Sequence, residues 1–537
     1  MVDALNELPD DIEFLKALIF QKDAAIAERD QKILTFTNQL LWAEEKYKSM
    51  VARYFGRKAE KLSAEEDRQN RLFDEAEVHA DEQVSSIAEK VVVAEHERKQ
   101  KGRKSKTIEL PTLEEIHELP EADRACAQCG KERPVIGEDR TSEYDLVPEH
   151  VIRIVHLRRK YGPCDCEACR APGAKQILIA PGPAKIIPGS DFTNRTTAFF
   201  MTSKYADAIP FYRMEKMLAR SGLVVTRATL SNQAIAAGRA IGDLVELMNR
   251  DLSRSPVLLM DETTVQVLKE GSGPPGKKSY MWVACGYHDG KPIHRFAYHE
   301  NRSGAFAETL LKDFSGFYVQ TDGFDGYNRL DGRSDLVHVG CFAHIRRKFM
   351  NAYEVAGKTG IAREAIDLIA TLYRIESELR ELLDSEKIND ATFLERRKTA
   401  ALPALHRFRD WLMRSSLTVA PQCALGKAIS YAQAIYPKAS RYIEHALLTP
   451  DTNAVENAIR PFVIGRKNWL FSGSPKGAHA SAGLYSLIET SKANGHDPYH
   501  YLCYLFDRLP LCKSLQEKEA LLPYNAKPED LVRMRRN

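Results

Sequence analysis

Asp261, Asp322 and Glu456 are the residues of this chain whose types and settings best suit chemistry on phosphate esters. Asp261 follows the apolar run Pro256-Val-Leu-Leu-Met260 and opens Asp-Glu-Thr-Thr. Asp322 follows Phe317-Tyr-Val-Gln-Thr321 and opens Asp-Gly-Phe-Asp-Gly-Tyr. Glu456 lies in Asp451-Thr-Asn-Ala-Val-Glu-Asn-Ala-Ile-Arg460-Pro, the pattern of an N-capped amphipathic helix. Carboxylates at the ends of neighbouring strands and on a covering helix can converge on hard cations, which prefer oxygen ligands. Two such ions about 3.5–4 Å apart clamp the attacking and leaving oxygens of an in-line displacement at phosphorus. In that arrangement Asp261 and Asp322 each hold one or both Mg²⁺ (or Mn²⁺) ions and Glu456 completes the coordination of the second ion.

Three other acids compete for these roles. Glu262 follows Asp261 and points to the opposite face if the strand continues. Asp325 sits in an Asp-Gly turn, where Asp has an ordinary structural reason. Glu489, on a later helix, is the main rival to Glu456, which is preferred because Asn453, Asn457 and Arg460 give it a polar setting.

The elements that must position these acids form an ordered series. Strand patterns at Val257–Met260, Thr264–Leu268, Lys278–Tyr287 and Pro292–Tyr298 alternate with turns, followed by a helix over Ser303–Asp313 and strands at Phe317–Thr321 and Leu336–Gly340. Three strands, helix, strand, strand is the order of an RNase H-like core. There the first strand and the strand after the helix are central neighbours, so their ends can share a metal. Residues 355 to about 445 are helical and low in strand signal, and read as an insertion that leaves the core and returns with the Glu456 helix.

Upstream, Leu5, Ile12, Ile19, Ile26, Ile33, Leu40, Tyr47 and Tyr54 recur every seven residues. This seam predicts a coiled coil of about 75 Å at 1.5 Å per residue, with a long helix packed on its own chain as the alternative. Cys126-Ala-Gln-Cys129 and Cys164-Asp-Cys166-Glu-Ala-Cys169 suit a ribbon-type Zn²⁺ site with Cys126, Cys129, Cys166 and Cys169 as ligands and Cys164 as the spare or substitute. That zinc serves structure, or nucleic-acid contact through Arg158, Arg159 and Lys160. Phe211–Gly222 followed by Thr226–Asn232 is a helix-turn-helix candidate or a helical prop for the sheet. Around the acids, His344 of Cys341-Phe-Ala-His344 either positions the DNA or forms a packed structural pair with Cys341, and Arg346, Arg347, Arg460, Arg466 and Lys467 are candidate DNA contacts. Trp469 either stacks on an unpaired base or belongs to the core.

Composition narrows the class. The chain has 537 residues, 28% of them charged, and a formal net charge of only +3. A nucleic-acid surface must therefore be local. No run of about 18 apolar residues predicts a membrane span, and no secretory leader is evident at the N-terminus. Ten cysteines, five of them between Cys126 and Cys169, argue for metal in a reducing, cytoplasmic compartment.

These features, with further matching stretches, resemble the transposases of the insertion sequence 66 family over nearly the full chain. The stretches are Arg53–Leu62, the cysteine knuckles with Val135–Asp139, Ser203–Asp207 with Pro210–Arg213, Met260-Asp-Glu-Thr, Thr321–Asn328, Cys341–Phe349, Asn453–Asn457, Gly465–Phe471, Leu487–Gly495 and Leu521–Asn525. The extra Cys164 departs from the simpler family pattern. The resemblance implies an Asp-Asp-Glu DNA transposase with a helical zipper, a zinc segment and an RNase H-like catalytic domain, working in the bacterial cytoplasm at the nucleoid with accessory proteins of the same element. Two alternatives stand beside it: a catalytically relic DNA-binding regulator and an RNase H-like structure-selective nuclease.

The expected architecture is thus multidomain α+β. It comprises a coiled-coil oligomerisation helix (1–62), a charged linker (63–110), a zinc-binding domain (111–182) and a helical domain (190–250). The RNase H-like core follows (255–355), interrupted by a helical insertion (356–450), closed by further helices (451–500) and ended by a C-terminal element (501–537).

Overall fold

The computed structural model describes residues 181–532, apart from 271–277, 357 and 359, together with parts of 12–32 and 151–179. The cysteine knuckles, the charged linker and most of the heptad stretch lie outside the described residues. Where the heptad is described, residues 16–26 are helical, and Ile12, Ile19 and Ile26 are all exposed.

From residue 181 on, four helices lead into the sheet: α1 (Asn194–Tyr205), α2 (Phe211–Arg220), α3 (Arg227–Ala240) and α4 (Gly242–Leu252). The expected helix, glycine turn and capped helix are there: Gly222 has φ +84° and the Thr226 hydroxyl accepts from Thr229 N. Arg227, Thr229, Ser231 and Asn232 at the start of α3 are exposed, whereas its far half packs so closely that a Cβ on Gly238 would fall 2.5 Å from Ala480.

The sheet is mixed, its five main strands lying side by side in the order third, second, first, fourth, fifth along the chain. It starts with β1 (Val257–Val267), β2 (Lys278–His288) and β3 (Lys291–His299), an antiparallel meander. Asp289 and Gly290, at φ +49° and +76°, make the tight turn between β2 and β3, as two-residue hairpins require. After α5 (Gly304–Leu310), β4 (Tyr318–Gln320) pairs parallel with β1, and β5 (Val337–Val339) parallel with β4.

One strand differs from expectation. Val257–Met260 and Thr264–Leu268 are not two strands, because β1 runs unbroken through Asp261. Pairing with β2 is continuous from Leu259 to Gln266, and Thr263, Thr264 and Val265 are β-branched residues that favour the pleat. Asp261 is therefore a mid-strand residue.

From β5 the chain enters α6 (Phe342–Val355), α7 (Ala362–Asp384), α8 (Asp390–Thr418) and α9 (Ala424–Ala439). These helices share an aromatic core in which Phe349 meets Trp411 edge to face and Phe342 meets Phe408. Fully buried Arg397 is fixed by Glu376 at 2.6 Å and by the carbonyls of Tyr442, His445 and Leu448, which satisfies a charge that would be costly alone. Both ends of this helical block meet at the sheet. Gln320 Nε2 donates to the carbonyls of Gly340 and Thr449, and Phe342 N donates to Pro450 O.

The chain then forms α10 (Asn453–Trp469), which covers β1 and β2, a two-residue strand β6 (Phe471–Ser472) parallel to the end of β1, and α11 (Pro475–Ala493) against β3. Helix α12 (Pro498–Arg508) and a terminal strap follow, with Tyr524 bonded to buried Asp251 at 2.7 Å. Among the described residues no helix is long and apolar enough to cross a membrane.

Candidate active site

Parallel pairing matches Leu259 of β1 with Gln320 of β4. Extending that register by two residues brings Asp322 level with Asp261, one strand over. Glu456 sits in the first turn of α10, buried over the same part of the sheet. Asp261 feels both of the other carboxylates. Burial raises the Asp261 pKa well above its ordinary value, and Glu262, Asp322 and Glu456 raise it further. Burial likewise raises Glu456, with Asp451 and Asp322 adding to the shift and Arg347 opposing it. Asp322 is raised by burial against the pull of a backbone hydrogen bond and of Arg302, Arg347 and His338.

Their hydrogen bonds leave this charge largely unanswered. Asp261 accepts from Glu262 N at 2.8 Å, and among the described residues it has no ion pair. Asp322 accepts from Phe324 N at 3.0 Å, which sets the turn after β4. Thr452 Oγ1 lies 3.4 Å from Glu456 Oε1 and 3.3 Å from Cys341 Sγ. Hard oxygen donors with excess negative charge fit Mg²⁺ or Mn²⁺. Among the described residues no three His, Cys, Asp or Glu side chains are gathered closely enough to form a finished metal cage.

The rival acids are placed differently. Glu262 points to the other face of β1. Its fully buried side chain accepts from Arg302 Nε and from the Tyr327 hydroxyl. Glu489, on α11 beside β3, is paired with Lys492 at 3.0 Å through both oxygens, and burial and Lys492 account for its shift. Asp325 opens the 3₁₀ segment Asp325–Gly332. The setting of Glu456 also differs from the polar face read from the sequence: Asn453 and Asn457 are exposed, whereas Glu456 is turned inward.

Of the cations, Arg347 faces Glu456 and Asp322, and its buried Nε lacks a hydrogen-bond partner. His344 is pushed down to about 3 by burial and by Arg347, Lys348 and Arg302, so it is neutral at pH 7, with Nδ1 buried and without a partner. Arg346 turns towards Tyr373, and Arg460 is half-buried one turn beyond Glu456. Arg466 is spent on β1, donating to Thr263 Oγ1 at 3.3 Å and Thr264 Oγ1 at 2.6 Å. Trp469 packs edge-on against Phe462 with Lys204 Nζ 5.1 Å from its ring. Lys467 is exposed, and with Trp469 it lies about 16–20 Å along the helix axis from Glu456 at 1.5 Å per residue.

Several neighbours of the acids were not anticipated. His338 on β5 joins Asp331 at 2.7 Å and Thr321 Oγ1 at 2.8 Å, and Lys438 of α9 pairs with Asp331 at 2.7 Å. The Tyr431 hydroxyl of α9 lies against Gly323, where a Cβ would stand 2.0 Å from it. Arg302, just after β3, is a further such neighbour, brought 3.9 Å from Asp322 by tertiary contact alone.

The family model for the transposase IS66 family matches residues 189–480, and that for the IS66 C-terminal element matches residues 486–524. The uncharacterized protein y4qI of Sinorhizobium fredii is 29% identical over 98% of this chain and 99% of its own. A second uncharacterized protein of that organism, y4jD, is 28% identical over 79% of this chain and 81% of its own. The chain belongs to the IS66 transposase family.

Proposed function

We propose that this transposase cuts and joins DNA at the ends of its insertion sequence by metal-dependent phosphoryl transfer, on an RNase H-like core, with Asp261, Asp322 and Glu456 as metal ligands. The observation that carries the reading is the convergence of three carboxylates from adjacent strands and a covering helix, where Asp322 and Glu456 both raise the Asp261 pKa and Asp322 raises that of Glu456, in a chain of this family. The sheet order, three antiparallel strands then two parallel neighbours, supports the fold assignment.

Divalent Mg²⁺ or Mn²⁺ at these carboxylates would supply charge stabilisation and an activated oxygen nucleophile. The chain's own residues do the rest. The register of β1 with β4 sets Asp261 beside Asp322, the Phe324 amide orients Asp322, and Thr452 orients Glu456. Arg347 stands ready for a phosphate oxygen. Neutral His344 offers a hydrogen bond without adding charge. Arg346, Arg460 and Lys467 belong to the wider DNA surface, whereas Arg466 and Trp469 hold α10 in place. The exposed stripe of Ile12, Ile19 and Ile26 supports self-association through the N-terminal heptads. Zinc at Cys126, Cys129, Cys166 and Cys169, and accessory proteins of the same element, complete the proposed assembly.

The test is strand transfer in Mn²⁺ with a duplex carrying the terminal sequence of the encoding element. Asp261→Asn, Asp322→Asn and Glu456→Gln should each abolish transfer while leaving DNA binding intact. Transfer at the wild-type rate by any of the three removes that residue from the site. Equal activity on branched DNA lacking element ends would favour the nuclease alternative.

A further inference from the structure

Arg302 is held as few arginines in this fold are. Its Nε donates to Glu262 Oε1, and its guanidinium carbon lies 3.6 Å above the centre of the Phe324 ring. Glu262 gives its other oxygen to the Tyr327 hydroxyl, and Arg302 meets it through Nε alone rather than in a two-pronged pair. Beneath lies an aromatic floor in which Trp282 meets Phe306 at 5.5 Å and Tyr327 at 6.0 Å. The backbone is pinned as well, since a Cβ on Gly304 would stand 2.3 Å from Gly326 O.

The free end of this side chain faces the acids. Arg302 Nη2 is 3.9 Å from Asp322 Oδ2, beyond hydrogen-bond reach, and among the described residues neither Nη atom has a hydrogen bond. The side chain is 35% exposed, whereas that of Glu262 is fully buried. Arg397 makes the contrast: fully buried, it directs Nη1 and Nη2 to one carboxylate and three carbonyls. Arg397 has both Nη groups engaged and only its Nε left over. Arg302 is oriented and left with donors to spare.

We propose that Arg302 is a further catalytic residue, whose Nη groups contact a non-bridging oxygen of the phosphate transferred at Asp261, Asp322 and Glu456, with Glu262, Tyr327 and Phe324 as its positioning residues. This rests on the active-site reading above. In the transfer, a bond forms from a water or 3′-hydroxyl oxygen to phosphorus as the bond to the leaving strand's oxygen breaks. The attacking oxygen's proton passes to solvent and the leaving oxygen takes one up. Negative charge on the non-bridging oxygens is what a fixed guanidinium stabilises most. Glu262 thereby acquires a role other than metal binding: it aims Arg302.

The experiment uses the full chain, a pre-nicked duplex bearing the element's terminal sequence, and Mn²⁺. Single-turnover transfer should fall about 10²–10³-fold in Arg302→Ala and nearly as far in Arg302→Lys, which lacks the fork. Duplex affinity and the Mn²⁺-induced rise in melting temperature should stay near wild type. Added methylguanidinium should restore part of the rate to Arg302→Ala and none to Asp322→Asn. Glu262→Gln should lower the rate about 10–100-fold, as for groups that orient an active residue. Wild-type transfer by Arg302→Ala, or a loss matched by a lowered melting temperature and unmoved by methylguanidinium, overturns the proposal. If Asp322→Asn also transfers normally, the active-site reading itself has failed; if only Arg302→Ala does, the failure is confined to Arg302.

Discussion

Glu456 and Glu489 sit on consecutive helices over opposite parts of one sheet, at 8% and 5% exposure. Burial raises the pKa of both. Beside β3, Glu489 has a lysine partner 3.0 Å from each oxygen and no acid near it. Beside β1 and β4, Glu456 has a hydroxyl at 3.4 Å, two acids that push its pKa higher, and one arginine that pulls it back. Burial is common to both, so burial does not mark the site. The difference lies in company: Glu489 is paired within the fold, whereas Glu456 shares its surroundings with other acids, which is the setting that the proposed metal site requires.

The largest break in this comparison should come in catalysis. Glu456→Gln should lower strand transfer about a thousandfold or more, because metal charge stabilisation is worth several kcal/mol and each ~1.4 kcal/mol is tenfold. Glu489→Gln should leave the rate within about threefold. Single-turnover assays of the two variants side by side decide it. Equal losses would erase the distinction.

A second difference concerns what holds each side. The Asp322 turn is braced from the helical block, with Tyr431 against Gly323 and Lys438 on Asp331. Gly323→Ala drives a methyl into the Tyr431 hydroxyl and should cost about 1–3 kcal/mol, as overpacking does. Adding Tyr431→Phe removes the nearest atom and should recover part of that cost. Thermal melts of the single and double variants measure the coupling, and additive effects would show that the two residues do not touch.

How much of this was legible in the sequence depends on the range of the forces involved. The apolar runs before Asp261 and Asp322, and the Asp289-Gly290 turn, specify strands locally, and the strand, helix, strand order followed from them. The continuity of β1 through Asp261 was missed because a strand buried on both faces shows no alternation to distinguish polar interruption from strand end. Arg302, His338, Lys438 and Tyr431 were missed for another reason. Each meets the Asp322 turn through tertiary contacts between separate strands and helices, and no local pattern encodes such a meeting. Glu262 was visible as a rival acid, but its commitment to Arg302 and Tyr327 needed the opposite face of the sheet. The choice between Glu456 and Glu489 likewise turns on Lys492, an i+3 neighbour whose pairing the sequence permitted without requiring.

The pH dependence of stability should separate the two sides further. The Asp261 and Glu456 pKa values are raised in the fold, so the folded protein holds those protons more tightly than the unfolded chain. Stability without metal should therefore fall as pH rises from ordinary carboxylate values towards the raised ones, and level off above them. Asp261→Asn removes one such group and should flatten the fall while raising the metal-free melting temperature, each kcal/mol being worth about 2–4 °C in a domain of 150–250 residues. Mn²⁺ should stabilise the wild type more at pH 7 than at pH 5, and Asp261→Asn much less at either. Melting curves at both pH values, with and without Mn²⁺, check the sign; a metal-free stability that climbs across this range would contradict it.

The smallest effect belongs to Lys492. Its side chain is 37% exposed, so solvent screens the pair and Lys492→Met should cost only about 0.2–1 kcal/mol. Without the lysine, the Glu489 pKa should rise further, making the variant's deficit larger at pH 7 than at pH 5, where the buried carboxyl can take up a proton. Transfer activity should be unchanged. The informative measurement is the Mn²⁺ response. A lone carboxylate on α11, with no second acid facing it, offers one ligand and should add nothing to the metal-induced rise in melting temperature. A larger Mn²⁺ stabilisation in Lys492→Met than in wild type would mean that Glu489, once freed, competes for the cation, and the division between the two sides of the sheet would have to be redrawn.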